Sequence, residues 1–314
     1  MNRYHAAFGS QKQEVQFLSP RLDGIRRDRE AEGRRIPSSP TKIGYQQSFV
    51  VALFNYRLYN ARVMNPEAKR ALTASITGID GAGKSTVSDI ITNTLGADTR
   101  IGKISRPAYS FVEGTKRMEY ARLMGIVDFA HNLADRTESR RLSLYANALD
   151  VILQGRVIEP GFLRRIQPQL VLGTRDYLID PAVYAIYYSP ALARHPVEER
   201  IDLLKGITGL EFRDVIFLLT VAPDEAVSRI ERRIAAESAG HAQSTRLKWR
   251  HMHEQEEYLD RLQKEFHTVL NYVSGSTSSE INVIDTSCYT QEQVAEMISD
   301  ILNERMRDLH VSTK

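Results

Sequence analysis

Eleven residues, Ile76–Thr86 (ITGIDGAGKST), carry the strongest chemical signal in the chain. Gly78-Ile79-Asp80-Gly81-Ala82-Gly83-Lys84-Ser85 meets the spacing G-x-x-x-x-G-K-[ST] at every fixed position. Such a loop binds phosphate. Its glycines let the backbone bend around an anion with the amides pointing inward. A helix starting near Lys84 adds its positive end. Lys84 would reach the β- and γ-phosphates of a nucleoside triphosphate, and Ser85 would hold Mg²⁺ through its hydroxyl. The expected ATP-binding set is Gly78, Asp80, Gly81, Ala82, Gly83, Lys84, Ser85 and Thr86. The motif alone does not separate ATPases, GTPases and kinases, which share it.

The elements around the loop must hold it on a sheet. Leu72–Thr77 is a short β-prone run, and helix signals follow from Lys84 to Leu95. Arg100–Ser105 reads as a second strand, and residues 116–155 read as helical. Arg156–Glu159 and Gln169–Thr174 are strand candidates, and Asp214–Val221 is the clearest buried strand. A helix starts near Asp224, a plausible N-cap after Pro223. A long helix over Trp249–Tyr272, a loop over Ser274–Glu280, a strand over Ile281–Asp285 and a helix over Gln291–Arg305 complete the chain. Alternating strands and helices predict an α/β fold, a three-layer αβα domain with a mainly parallel sheet. Its expected extent is residues 71–308, with a lid around 229–250. A polar arm over residues 1–45 and an extension over 46–70 precede it. Phe49, Leu53, Tyr56 and Tyr59 fall at helical spacing within that extension.

With Asp80 inside it, the loop G-x-D-G-x-G-K-S-T resembles that of thymidylate kinases, in the nucleoside-monophosphate kinase group. The resemblance continues in order along residues 71–305. It implies ATP-dependent phosphoryl transfer to a nucleoside monophosphate, with dTMP the family default. It implies that Asp80 lies near the acceptor's sugar and that Arg106, in Arg106-Pro107, holds the acceptor's phosphate. A guanidinium suits that task because it pairs phosphate oxygens bidentately. Ala134-Asp135-Arg136 is similar to the family's A-D-R segment, whose Arg contacts the nucleobase. The family's stacking Phe is replaced here by Asn132, with Phe129 a nearby substitute.

Thr174-Arg175-Asp176-Tyr177, followed by Tyr184, resembles the family's D-R-Y…A-Y segment. Either Asp and Arg are exchanged, or Thr174 stands in place of Asp. Arg175 would stabilise the transferring phosphoryl group, with Lys84, Asp80 and Arg175 as the catalytic set. Asp176 would bind Mg²⁺ through water or position the acceptor, with Glu159 the competing carboxylate. Tyr184 joins the acceptor-binding set. Arg229, Arg232, Arg233 and Arg246 are the lid cations the resemblance implies, closing over ATP. Each of these arginines also reads as a solvated helix charge.

Composition bounds the remainder. The 314 residues include 42% hydrophobic and 26% charged residues, enough for a packed core. The net charge is +3, and residues 1–45 hold nine Lys/Arg against five Asp/Glu, or +4. That balance does not call for nucleic acid as a partner. No run approaches the roughly 20 apolar residues of a membrane span. The single cysteine, Cys288, suits a reducing compartment, so a cytoplasmic protein is expected. Cys288 reads as structural, and His251 and His253 point apart on a helix and make no metal pair. The resemblance implies a homodimer, and the basic arm is a candidate for binding a partner. Two alternatives stay open: a kinase for another small acceptor, and a non-catalytic regulatory protein that binds ATP.

Overall fold

The computed structural model describes residues 70–105, 109–120, 124–137, 140–238 and 255–311. The expected arm over residues 1–45, the helix expected over 46–65, Arg106, Arg246, Trp249, His251 and His253 lie outside the described residues.

Seven strands form one sheet: β1 (Leu72–Gly78), β2 (Ile101–Ile104), β3 (Tyr109–Glu113), β4 (Lys116–Tyr120), β5 (Leu170–Gly173), β6 (Val215–Thr220) and β7 (Glu280–Asp285). Their order is β4-β3-β2-β5-β1-β6-β7. β2, β5, β1, β6 and β7 are mutually parallel, and β3 and β4 add an antiparallel edge. β5 is buried along its length and β6 is apolar and buried from Val215 to Leu219, as strands covered on both faces should be. The chain leaves β1 toward β2 on one side and later crosses to β6 on the other. The carboxyl end of β1 is therefore a topological switch point, where open α/β sheets bind ligands.

Helices cover both faces. They are α1 (Lys84–Leu95), α2 (Met124–Thr137), α3 (Arg140–Leu153), α4 (Glu159–Ile166), α5 (Ile179–Tyr188), α6 (Pro190–Ala193), α7 (Val197–Thr208), α8 (Pro223–Ser238), α9 (Glu256–Ser276) and α10 (Gln291–Val311). α1 packs with α10, and α5 packs with α9; both pairs touch the sheet. Ile76, Ile91, Phe217, Phe266 and Ile298 are fully buried in the core between them.

Four expectations change. Residues 116–155 do not form one helical stretch, because Lys116–Tyr120 pairs antiparallel with β3. Lys, Arg, Met and Glu favour helix locally, and cross-strand pairing overrides that preference. Arg156–Glu159 is no strand: Gln154–Ile158 is a π-helical turn running on from α3 into α4. Ile158 is buried there as part of a helical face. Helix α9 continues through Ser276, so the expected loop starts later. Cys288 is exposed and holds no structural position in the core. Among the described residues, no helix is long and apolar enough to cross a membrane.

Candidate phosphate loop and acceptor cavity

The phosphate loop joins the end of β1 to the start of α1, and its shape depends on glycine. Gly78 (φ 138°) passes so close to β6 that a Cβ there would sit 2.2 Å from the Leu219 carbonyl oxygen. Gly81 (φ 87°) would meet the Ala226 carbonyl oxygen at 2.7 Å. Only glycine takes these conformations without strain. Helix α1 has no side-chain cap, so its first amides remain available to an anion. Ser85 and Thr86 are exposed at that end.

Lys84 is 8% exposed, and its ammonium donates to the carbonyls of Gly78 (2.9 Å) and Ile79 (2.8 Å). Asp80 lies 3.7 Å away. Burial pushes the Lys84 ammonium below its usual range, with Asp80 pulling it back up.

Across the loop stands the end of β5. Arg175 Nη2 is 3.5 Å from Asp80 Oδ1, and the Tyr184 hydroxyl is 3.5 Å from Asp80 Oδ2. The Arg175 guanidinium also lies over the Tyr184 ring, 5.9 Å from its centroid. Burial alone would lower the Arg175 value, but Asp80, Tyr184 and Asp180 hold it above its usual range. Burial pushes the Tyr184 phenol well up, and Asp80 adds to it.

Asp176 is spent on structure. Its Oδ1 accepts from the amides of Leu178 (2.8 Å) and Ile179 (2.9 Å) at the start of α5, and its Oδ2 accepts from Ser75 Oγ (3.0 Å). That capping role leaves it poorly placed to take up Mg²⁺. Glu159, the competing carboxylate, forms a buried bidentate pair with Arg213 at 2.7 and 2.9 Å.

A carboxylate that sequence reading missed stands one helical turn on. Asp180 Oδ2 accepts from Thr77 Oγ1 (2.6 Å) and from the Asp176 amide (2.9 Å). Thr77 immediately precedes the loop. Burial pushes the Asp180 carboxyl up, while Arg175, Thr77 and the Asp176 amide pull it down. The signal that could have found it is the i, i+4 spacing of Asp176 and Asp180, which puts both on one face at a helix start.

These residues open onto a cavity of about 500 Å³. Asp80, Arg175, Asp176 and Asp180 stand on its wall, and Val151, Ile152, Leu204 and Ile207 supply apolar surface. His131 and Asn147 also line it, with Tyr184 and Tyr188. His131 Nε2 is 3.8 Å from Asp150, whose carboxylate accepts from Gln154 in the π-helical turn. Gln154 in turn accepts from the Tyr109 hydroxyl at 3.0 Å.

The remaining expected residues fall elsewhere. Arg136 is exposed on the last turn of α2 and does not line the cavity. Phe129 is 68% exposed and does not line it either. Arg229 is held by Glu225 (2.5 Å) and by the Thr286 carbonyl (3.0 Å), close to the Gly81 carbonyl (3.5 Å). It thus ties α8 to the loop after β7, beside the phosphate loop. Arg232 and Arg233 are exposed on α8, and residues 239–250 of the expected lid lie outside the described residues.

No family model matches the chain, and no curated protein matches it. Among solved structures it is similar to a deoxyadenosine kinase from M. mycoides with the products dCMP and a flexible dCDP bound. That likeness has 18% identity and a TM-score of 0.47, and covers 74% of this chain and 100% of the other. The same enzyme with dCTP bound gives 18% identity, a TM-score of 0.45 and the same coverage.

Proposed function

We propose that this chain is an ATP-dependent kinase that phosphorylates a hydroxyl group of an uncharged acceptor of nucleoside size. The observation that carries the reading is the charge beside the phosphate loop. Among the described residues, the cavity is lined by three carboxylates (Asp80, Asp176 and Asp180) and one guanidinium, Arg175. That guanidinium is already turned toward Asp80. A phosphomonoester brings roughly −1.5 to −2 charge at pH 7, and its repulsion by buried carboxylates is poorly screened. A neutral hydroxyl brings no such charge and can donate to a carboxylate. The volume and apolar walls suit an organic ring system fixed by a few polar groups.

The loop's own residues would do the following. Backbone amides from Gly81 to Ser85 would cradle the β- and γ-phosphates. Lys84 would leave the Gly78 and Ile79 carbonyls and turn to those phosphates. Arg175 would balance charge on the group in transit, and Tyr184 would steady Asp80 and Arg175. The exposed hydroxyl of Ser85, at the first turn of α1, fits Mg²⁺ arriving with the triphosphate. When bound, Mg²⁺ neutralises charge on the phosphates.

A second reading keeps the monophosphate acceptor that the loop's Asp80 implies by resemblance, with Arg106 holding its phosphate. Calorimetric titration separates the two. With a non-hydrolysable ATP analogue and Mg²⁺ present, nucleosides should bind at least about tenfold more tightly than their monophosphates, a difference of about 1.4 kcal/mol. The reverse order would overturn the hydroxyl-acceptor reading.

A further inference from the structure

We propose that Asp180 is the carboxylate that receives the acceptor: its Oδ1 takes the hydrogen bond of the hydroxyl group and then its proton. This rests on the kinase reading above.

The two oxygens of Asp180 have different surroundings. Oδ2 is fixed by Thr77 Oγ1 and the Asp176 amide, which set the orientation of the group. Oδ1 is buried and has no hydrogen-bond partner among the described residues. The side chain is only 5% exposed and lies on the cavity wall. An unsatisfied buried acceptor costs about 1–3 kcal/mol, more when charged, so a fold keeps one where a ligand completes it.

The rival carboxylates are engaged. Arg175, Lys84 and Tyr184 converge on Asp80 within 3.5–3.7 Å. Both oxygens of Asp176 accept hydrogen bonds from Ser75 and the start of α5. Asp180 also sits at the correct end of the cavity. It is anchored to the residue preceding the loop, and it interacts electrostatically with both Lys84 and Arg175.

The step balances. The acceptor oxygen attacks the γ-phosphorus of the nucleoside triphosphate. The bond from that phosphorus to the β–γ bridging oxygen breaks, and the nucleoside diphosphate leaves with that electron pair. The hydroxyl proton passes to Asp180 Oδ1 and then to solvent. Burial raises the basicity of the carboxylate, which suits it to this task.

The test uses the full chain. In Asp180→Asn the side-chain oxygen can keep the bonds to Thr77 and Asp176, while an NH₂ replaces the accepting Oδ1. ATP-analogue affinity should stay within about threefold, and kcat with a nucleoside should fall by about 10²–10⁴-fold. In Asp180→Ala, added formate should restore part of the lost kcat, which a purely structural role would not allow. Asp180→Asn with kcat near wild type overturns the proposal while leaving the kinase reading intact. Loss of analogue binding in Asp180→Asn, or no formate rescue, assigns Asp180 a structural role and also overturns it. Wild-type enzyme that phosphorylates only monophosphates removes both readings.

Discussion

The guanidinium of Arg175 faces the carboxylate of Asp80, Nη2 to Oδ1 at 3.5 Å, and so joins the end of β5 to the phosphate loop. The two residues are 95 positions apart, and each lines the same cavity. The contact holds a cation beside the phosphate loop.

Replacing Arg175 by Ala should lower kcat by about 10²–10³-fold, the usual cost of losing one electrostatic donor to a transition state. Arg175→Lys should recover only part of this, because an ammonium lacks the planar fork. ATP-analogue affinity should move little in either variant. Steady-state kinetics and calorimetry check both statements.

Lys84→Ala should abolish turnover by at least about 10²-fold while leaving the fold intact. Its ammonium contacts the Gly78 and Ile79 carbonyls closely, with Asp80 beyond them. A thermal melt alongside the kinetic assay separates the two effects. Activity equal to wild type would remove the loop assignment.

Gly81→Ala should disturb the loop itself. The residue has φ 87°, and an added Cβ would press to 2.7 Å from the Ala226 carbonyl oxygen. Backbone strain of this kind costs about 1–3 kcal/mol. Weaker binding of the ATP analogue, measured by calorimetry, is expected together with a lower melting temperature.

Arg213→Ala should destabilise the fold by about 3–5 kcal/mol, because it strands Glu159 as an unpaired buried charge. The two side chains are 8% and 3% exposed. Replacing both by apolar residues of similar size should cost much less. Denaturant unfolding of the single and double variants measures the difference, and kcat per folded molecule should be unchanged in both.

Asp180 sets a pH dependence. Burial raises its folded value above the roughly 3.9 of an unfolded Asp, against the pull of Arg175, Thr77, the Asp176 amide and Lys84. Asp80, Asp176 and Tyr184 also face the cavity there. Between the unfolded and folded values, the native state holds the proton that the unfolded chain has released. Stability from this group is therefore present below about pH 4 and is lost as pH rises through the folded value. Unfolding free energies at pH 4.5 to 7.5 should show Asp180→Asn gaining on wild type as pH rises. Parallel curves would remove this assignment.

The parts of this molecule that could be read from sequence are local. The loop needs a strand, three glycines and a helix within a short span, and all are adjacent in the chain. β6 could be read because Val215–Leu219 is apolar without interruption. The β3–β4 hairpin could not, because its second strand is written in helix-favouring, charged residues. The site was half legible for the same reason. Asp80 and Lys84 lie in the motif, but the Thr77–Asp180 bond spans 103 residues and leaves no periodic trace. Glu159 and Asp176 read as competing candidates to bind Mg²⁺ or position the acceptor, because their partners, Arg213 and the amides of α5, are supplied only by folding.

The nature of the acceptor is tested most directly by one competition. The protein is incubated with Mg²⁺, ATP and an equimolar mixture of isotope-labelled nucleosides and their unlabelled 5′-monophosphates, and the labelled and unlabelled products are resolved by mass spectrometry. Labelled nucleoside monophosphates should appear while the supplied monophosphates are not converted to diphosphates. Diphosphates formed from the supplied monophosphates, with every nucleoside unchanged, would contradict the hydroxyl-acceptor reading.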